Sequence, residues 1–204
     1  SDGLIAIDKL SVQKGKILDI GCGHGYFLEL AKNSGWKELA GIEISRKAAE
    51  YAREYFGLTI YEKKLADAGF PQAEFECVTL WGLLNSLYDP NAELKEINRV
   101  LKPGGVVYIR NANADFHVFM LRMRRFLSKF GLYPSIFHVN EFNAATLVKT
   151  LKKNGFELVS IKNSLPTSGD PYGTSRYLKS WFVDFAKMSL YYFSEMLRIL
   201  SGNK

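Results

Sequence analysis

The chain is poor in the residues that build metal and disulfide sites: 204 residues hold two cysteines and three histidines. Cys22 and Cys77 are too few to build a zinc centre, and no metal site is expected. As free buried thiols they fit a reducing compartment, so a cytoplasmic protein is expected. No basic cluster is interleaved with aromatics densely enough to argue for nucleic acid, and no nucleic-acid partner is expected. No uncharged run of roughly 18 residues exists, so no transmembrane segment is expected, and no leader pattern opens the chain. The net charge is only +6. It permits an anionic acceptor or an acidic membrane surface and demands neither. With 47% hydrophobic and 24% charged residues the chain is globular, and its length suits one domain with a real core.

What is present concentrates in residues 16–25, Lys-Ile-Leu-Asp-Ile-Gly-Cys-Gly-His-Gly. A short apolar run ends in Gly21, Gly23 and Gly25, and an amphipathic segment starting at Tyr26 follows at once. That order reads strand, tight turn, helix. The glycines permit positive φ and let a ligand approach the backbone; the helix start presents free N–H groups to it. The dinucleotide fingerprint wants Gly-x-Gly-x-x-Gly. Here the third glycine comes one residue early, and Asp19 sits two residues before the first. A pyrophosphate cradle has no use for that carboxylate, whereas a cofactor bearing an ammonium and a sulfonium does. Glu43 ends the next apolar run roughly 20 residues on, where an acid can accept from both ribose hydroxyls.

Four segments then resemble the ordered motifs of class I S-adenosylmethionine (SAM)-dependent methyltransferases. They are Leu18 to Gly25, Gly41-Ile42-Glu43, Phe75 to Trp81, and Arg99-Val100-Leu101-Lys102-Pro103-Gly104-Gly105. The small-molecule group that includes the ubiquinone-biosynthesis O-methyltransferases is the nearest in flavour. The resemblance covers residues 14–163. It implies SAM as cofactor, S-adenosylhomocysteine as product, and a Rossmann-like α/β fold.

The element pattern agrees. Strands are expected over 16–20, 38–43, 58–62, 75–81, 106–110 and 156–162, with helices over 25–34, 45–56, 90–101 and 143–153. Repeated strand–helix units predict a doubly wound, mostly parallel sheet with helices on both faces. Ligands of such sheets bind at the carboxyl ends of the strands. We expect a single domain over 1–204: a core at 14–163, a helical insertion at 115–132 and a helical segment at 176–200. The resemblance implies a seventh, antiparallel strand that cannot be found, so the chain is expected to be a fragment of a longer protein.

The cofactor-binding set expected is Asp19, Gly21, Cys22, Gly23, His24, Gly25, Glu43, Ile44, Lys64, Leu65, Trp81, Gly82 and Leu84. Within it, Asp19 orients the ammonium directly or through water, Glu43 takes the ribose, Leu65 or Ile44 flanks adenine, and Trp81 with Leu84 bounds the methyl site. His24 either packs at the helix start or meets the cofactor carboxylate. Two departures from the family stand out. Lys64 occupies a position where relatives often place an adenine-binding Asp, and lysine cannot accept that hydrogen bond. After the fourth strand, Gly82, Asn85 and Ser86 replace the familiar acidic and His positions, which removes support for a metal-assisted or His-driven mechanism.

The acceptor side is less legible. His138 resembles an element preceding a helix in relatives and is the candidate catalytic base. His117, Tyr133 and Tyr172 are weaker candidates; Asn111 and Asn113 read as turn residues. Apolar stripes over 116–130 and 177–200 are core or dimer surface, or the wall of a pocket for a lipophilic acceptor with peripheral membrane contact. A homodimer is compatible with them. The expected reaction is methyl transfer to a small-molecule or lipophilic acceptor by in-line displacement. The alternatives are an NAD-dependent oxidoreductase and a non-catalytic methyltransferase-like binding subunit.

Overall fold

The computed structural model describes residues 2–10, 12–130 and 138–162. They belong to two units, one within Ser1–Asn113 and His138–Leu158, the other within Ala114–Phe137 and Val159–Lys204.

In the first unit, α1 (Asp2–Asp8) precedes β1 (Lys16–Ile20), α2 (Tyr26–Asn33), β2 (Glu38–Ile42), α3 (Arg46–Phe56), β3 (Thr59–Tyr61) and β4 (Phe75–Trp81). Then come α4 (Pro90–Val100) and β5 (Leu101–Arg110). The five strands form one sheet in the order β3-β2-β1-β4-β5, and every ladder is parallel. A parallel sheet covered by helices buries both faces, which is why its strands read as unbroken apolar runs. Neighbours along each strand serve opposite cores. Ile17 and Cys77 join Leu28, Ala31, Ala49 and Ala52 on the α2–α3 side. Leu18 and Val78 join Leu94, Ile97 and Val100 of α4 on the other.

Local chemistry sets the element ends. Asp89 caps α4, its carboxylate accepting from Asn91 N and Ala92 N at 3.0 Å each, with Pro90 at the first helical turn. The remaining helix of this unit, α7 (Ala144–Lys153), opens on a reciprocal cap between Asn143 and Thr146. The Lys102-Pro103-Gly104-Gly105 stop forms an irregularity in the β4–β5 ladder: register passes from Phe75–Leu101 to Cys77–Val106. Strand pairing thus begins at Leu101, earlier than the expected start at 106.

Three expectations change. The strand expected over 156–162 is not formed. Among the described residues it has no ladder partner, and Leu158, Val159 and Ile161 are exposed, so apolar content alone did not make it a strand. The α1 helix was not anticipated; Leu4 and Ile7 anchor it in the α2–α3 core. The insertion is not one helix. In the second unit α5 (Ala114–Arg122) ends before Met123, α6 (Arg124–Leu127) follows, and residues Ser128–Phe130 tighten into a 3-10 turn. The segments 131–137 and 163–204 lie outside the described residues, and with them the expected 177–200 stripe, Tyr133 and Tyr172.

Candidate functional site

The ladders bring the strand ends side by side. Ile20 pairs with Ile42 on one flank and Leu80 on the other. Gly21 therefore leaves the sheet between Glu43 and Trp81. Beyond the sheet edges, Glu43 N donates to Tyr61 O at 3.1 Å and Gly82 N to Arg110 O at 2.7 Å. These bonds keep the loops after β1, β2, β3, β4 and β5 on one rim.

The glycine bend is built by backbone bonds. Gly21 N and Cys22 N both donate to Ile42 O, at 2.8 and 3.0 Å, and Gly25 N donates to Cys22 O at 3.0 Å. All three glycines have positive φ: 71° at Gly21, 53° at Gly23 and 81° at Gly25. They do different work. A Cβ on Gly25 would stand 2.6 Å from Leu58 Cδ1 and 3.0 Å from Ala52 Cβ, so that glycine serves packing. A Cβ on Gly23 would meet nothing within 4 Å, so that glycine faces open space. No side chain caps α2, which begins immediately after the bend, so its first N–H groups face whatever occupies that space.

Two carboxylates border the bend. Glu43 accepts from Gly23 N at 2.9 Å through Oε2 and from Ser45 N at 2.7 Å through Oε1. A carboxylate offers about four lone-pair sites, so each oxygen retains capacity for a hydroxyl. Asp19 is buried, 1% exposed, and its Oδ1 accepts from Thr79 Oγ1 at 2.6 Å. Burial pushes its carboxyl up to about 7; the Thr79 hydroxyl opposes the shift and the Glu43 charge adds to it. A nearby cation would hold Asp19 ionised.

The other expected positions divide between rim and core. His24 is exposed and sets its ring edge-on to Tyr51, centroids 5.1 Å apart. The Cys22 side chain turns into the core: a Cβ on Gly41 would lie 2.6 Å from its Sγ. Burial pushes the Cys22 thiol up to about 12, with Asp19 and Glu43 adding to the shift, so it is inert and only its backbone borders the bend. Leu65 and Leu84 are both buried in the α4-side core. Ile44, by contrast, is 77% exposed. Lys64 is exposed at the start of the 3-10 turn Leu65–Asp67, where its charge acts on Glu93 of α4. Trp81 packs against Phe27 and Tyr108, centroids 4.8 and 5.0 Å away. Gly82 takes φ 69° with open space at its Cβ position.

His138 is tied to the rim indirectly. Asn140 N donates to Asn85 O at 2.8 Å, fixing the 138–143 segment to the loop after β4. His138 Nδ1 lies 3.3 Å from Glu141 Oε1. The side chain of His117 lies outside the described residues. Among the described residues no group of three His, Cys, Asp or Glu could hold a metal ion. Sequence reasoning missed the role of Thr79, whose signal was a polar residue in an otherwise apolar strand. It also missed Leu83, which borders Gly21: a Cβ there would stand 3.2 Å from Leu83 Cδ1.

An all-parallel sheet whose first turn is an open glycine bend flanked by two acids defines a nucleoside-cofactor protein of the Rossmann-like class. The particular family follows from comparison. Residues 5–161 match the model of the methyltransferase domain family, and the chain belongs to it. It is 28% identical over 158 residues to a ubiquinone biosynthesis O-methyltransferase of Azoarcus sp. (strain BH72), covering 72% of this chain and 66% of that one. It is 32% identical over 112 residues to the protein of that name in Thiobacillus denitrificans, covering 52% and 48%. The chain thus spans about half to two thirds of the length of these curated relatives. Among solved structures, an S-adenosylmethionine dependent methyltransferase from Mesorhizobium loti superposes with TM-score 0.63 at 20% identity, covering 82% and 86%. A SAM-dependent methyltransferase from Methanosarcina mazei gives 0.64 at 24%, covering 80% and 91%. These likenesses establish the fold, and fold and family together imply SAM as the cofactor.

Proposed function

We propose that this chain binds SAM at the β1 rim and transfers its methyl group to a small-molecule or lipophilic acceptor. The observation that carries the reading is the open space at Gly23 between two acids, one buried with a single hydroxyl partner and one at hydroxyl-accepting reach. Gly21, Gly23 and Gly25 bring backbone close to the methionine portion, and Asp19 holds its ammonium. Glu43 accepts the ribose hydroxyls with the lone pairs that Gly23 and Ser45 leave. Adenine lies against the exposed Ile44 and the backbone at Lys64 and Leu65, and Trp81, Gly82 and Leu83 border the methyl end.

SAM supplies a methyl already activated on a sulfonium. The chain's part is to hold the nucleophile about 3 Å from that carbon, in line with the departing sulfur, and to exclude water. His138, oriented by Glu141 and anchored through Asn140 beside the β4 loop, is placed to take a proton from an acceptor hydroxyl. A lipophilic acceptor and peripheral membrane contact draw support from the second unit. There Phe119 and Phe126 are exposed on segments carrying Arg122, Arg124 and Arg125, a composition suited to an anionic interface. Two buried thiols suit a reducing, cytoplasmic setting, and both curated relatives carry the name ubiquinone biosynthesis O-methyltransferase. Among the described residues no helix is long and apolar enough to cross a membrane.

The test is calorimetric titration with S-adenosylhomocysteine and with NAD, followed by incubation with methyl-labelled SAM and fractions of a metabolite and lipid extract. Binding of S-adenosylhomocysteine but not NAD, with label entering an organic-soluble fraction, is expected. NAD binding alone would overturn the cofactor, and S-adenosylhomocysteine binding without transfer to any fraction would leave a binding subunit.

A further inference from the structure

Nine buried side-chain nitrogen or oxygen atoms have no hydrogen-bond partner among the described residues, and five of them sit on three residues: Trp81, Asn85 and Asn111. The remaining four are single atoms on Glu29, Trp36, Glu74 and Asn154. Glu29, Glu74 and Asn154 each bond through another side-chain atom. Asn85 and Asn111 differ in kind, because both the nitrogen and the oxygen of each carboxamide are buried and unpaired. Asn85 is 0% exposed. A buried amide that makes none of its bonds is costly and is rarely kept without a reason.

Their position supplies the reason. Asn85 stands in the 3-10 turn Leu84–Ser86 after β4, and Asn111 is the first residue after β5. The bond from Gly82 N to Arg110 O, 2.7 Å, fixes these two loops edge to edge. The backbone of Asn85 is committed, its carbonyl accepting from Asn140 N, so the side chain is held in place while unpaired. Both residues are uncharged. Neither a lysine nor an arginine occurs between Trp81 and Asp89, so that loop supplies no cation for a carboxylate or phosphate.

Resting on the proposed function, we infer that Asn85 and Asn111 form the subsite that selects the methyl acceptor, and that it takes an uncharged molecule bearing a carbonyl beside an O–H or N–H. The two carboxamides donate through Nδ2 to the two lone pairs of the carbonyl, and one of them accepts through Oδ1 from the neighbouring hydrogen. A carboxylate would meet the Oδ1 atoms as repulsive neighbours and would have to lose its hydration to reach them.

The test uses the full chain saturated with S-adenosylhomocysteine and two ring-matched probes, 2-hydroxybenzamide and 2-hydroxybenzoate, titrated by calorimetry. The amide is expected to bind at least tenfold tighter than the carboxylate. Asn85→Leu and Asn111→Leu are each expected to weaken the amide at least tenfold while leaving S-adenosylhomocysteine affinity within threefold and the melting temperature level or higher. Equal or tighter binding of the carboxylate, no measurable binding of the amide, or Leu variants with unchanged amide affinity would each overturn the assignment. So would a fall in melting temperature on both substitutions, because the amides would then be structural. If wild-type protein fails to bind S-adenosylhomocysteine, the underlying cofactor reading fails instead.

Discussion

Thr79 donates its hydroxyl to the buried carboxyl of Asp19 across the β1–β4 ladder, 2.6 Å from oxygen to oxygen, with both residues in register as direct partners. Among the described residues, that bond is what stabilises a carboxylate placed almost wholly out of water, and it does not match what burial costs. Burial pushes the Asp19 carboxyl from 3.8 to about 7. A raised folded value means the ligand-free fold is best served by the protonated form. Stability on this account is complete below about pH 4 and is lost as pH rises toward 7, by about 4 kcal/mol in all. The stability gap between wild type and Asp19→Asn should therefore widen in favour of the variant between pH 4 and 7.5, as read by urea unfolding. A gap that stays constant across that range would show that Asp19 does not titrate there.

The same relationship predicts how cofactor affinity depends on pH. An ammonium beside Asp19 favours the ionised form, so binding below pH 7 must release a proton. Affinity for S-adenosylhomocysteine should rise through pH 7 in wild type and level off above it, by up to roughly tenfold per pH unit below the transition. Asp19→Asn should bind more weakly and without this slope. Titrations in buffers of different ionisation enthalpy would detect the proton directly.

Glu43 links the bend to the start of α3, one oxygen to Gly23 N and the other to Ser45 N. In Glu43→Gln one oxygen becomes an NH2 group facing an N–H donor. At least one of the two bonds is lost, at about 1–3 kcal/mol of stability. S-adenosylhomocysteine affinity should fall at least about tenfold, since a hydrogen bond to a charged group is worth about 1.5–3 kcal/mol. Unchanged affinity would remove Glu43 from the ribose site.

The three glycines of the bend are not interchangeable. Gly23→Ala strains a residue at φ 53° but meets no neighbour, so it should cost about 1–2 kcal/mol of stability and most of the S-adenosylhomocysteine affinity. Gly25→Ala adds the same strain to a clash with Leu58 and Ala52, and should lose more stability than Gly23→Ala. Calorimetric binding and urea unfolding of both variants give the ranking. If Gly23→Ala proves the less stable of the two, the division of labour is wrong.

These residues also show where the sequence was readable. The bend, Asp19 and Glu43 were legible because each is set by local chemistry: glycine spacing and an acid at a strand end. The sheet was legible because both faces are buried and the strands are continuous apolar runs. Side-chain direction was not. Cys22, Leu65 and Leu84 stand on the rim in sequence yet point into the core, since a turn sends neighbouring residues opposite ways. Thr79 became meaningful only through register, and the orphaned amides of Asn85 and Asn111 only through burial. The missing strand at 156–162 shows that an apolar stretch needs a partner to become a strand.

The α1 helix, invisible in the sequence, makes one more contact open to test. A Cβ on Gly3 would stand 2.3 Å from Trp81 Cη2 and 3.1 Å from Tyr108 Cε1. Real atoms do not approach so closely, so Gly3→Ala must displace the indole or lift the helix. Overpacking of this kind costs typically about 1–3 kcal/mol. Phenylalanine at position 81 lacks the Cη2 atom, so Trp81→Phe should make Gly3→Ala much milder. The two substitutions should then couple by at least about 0.5 kcal/mol in a double-mutant cycle, the scale found for residues in contact. Strict additivity would mean that Gly3 and Trp81 do not touch in solution. The helix would then not brace the strand end from which Gly82 and Asn85 continue.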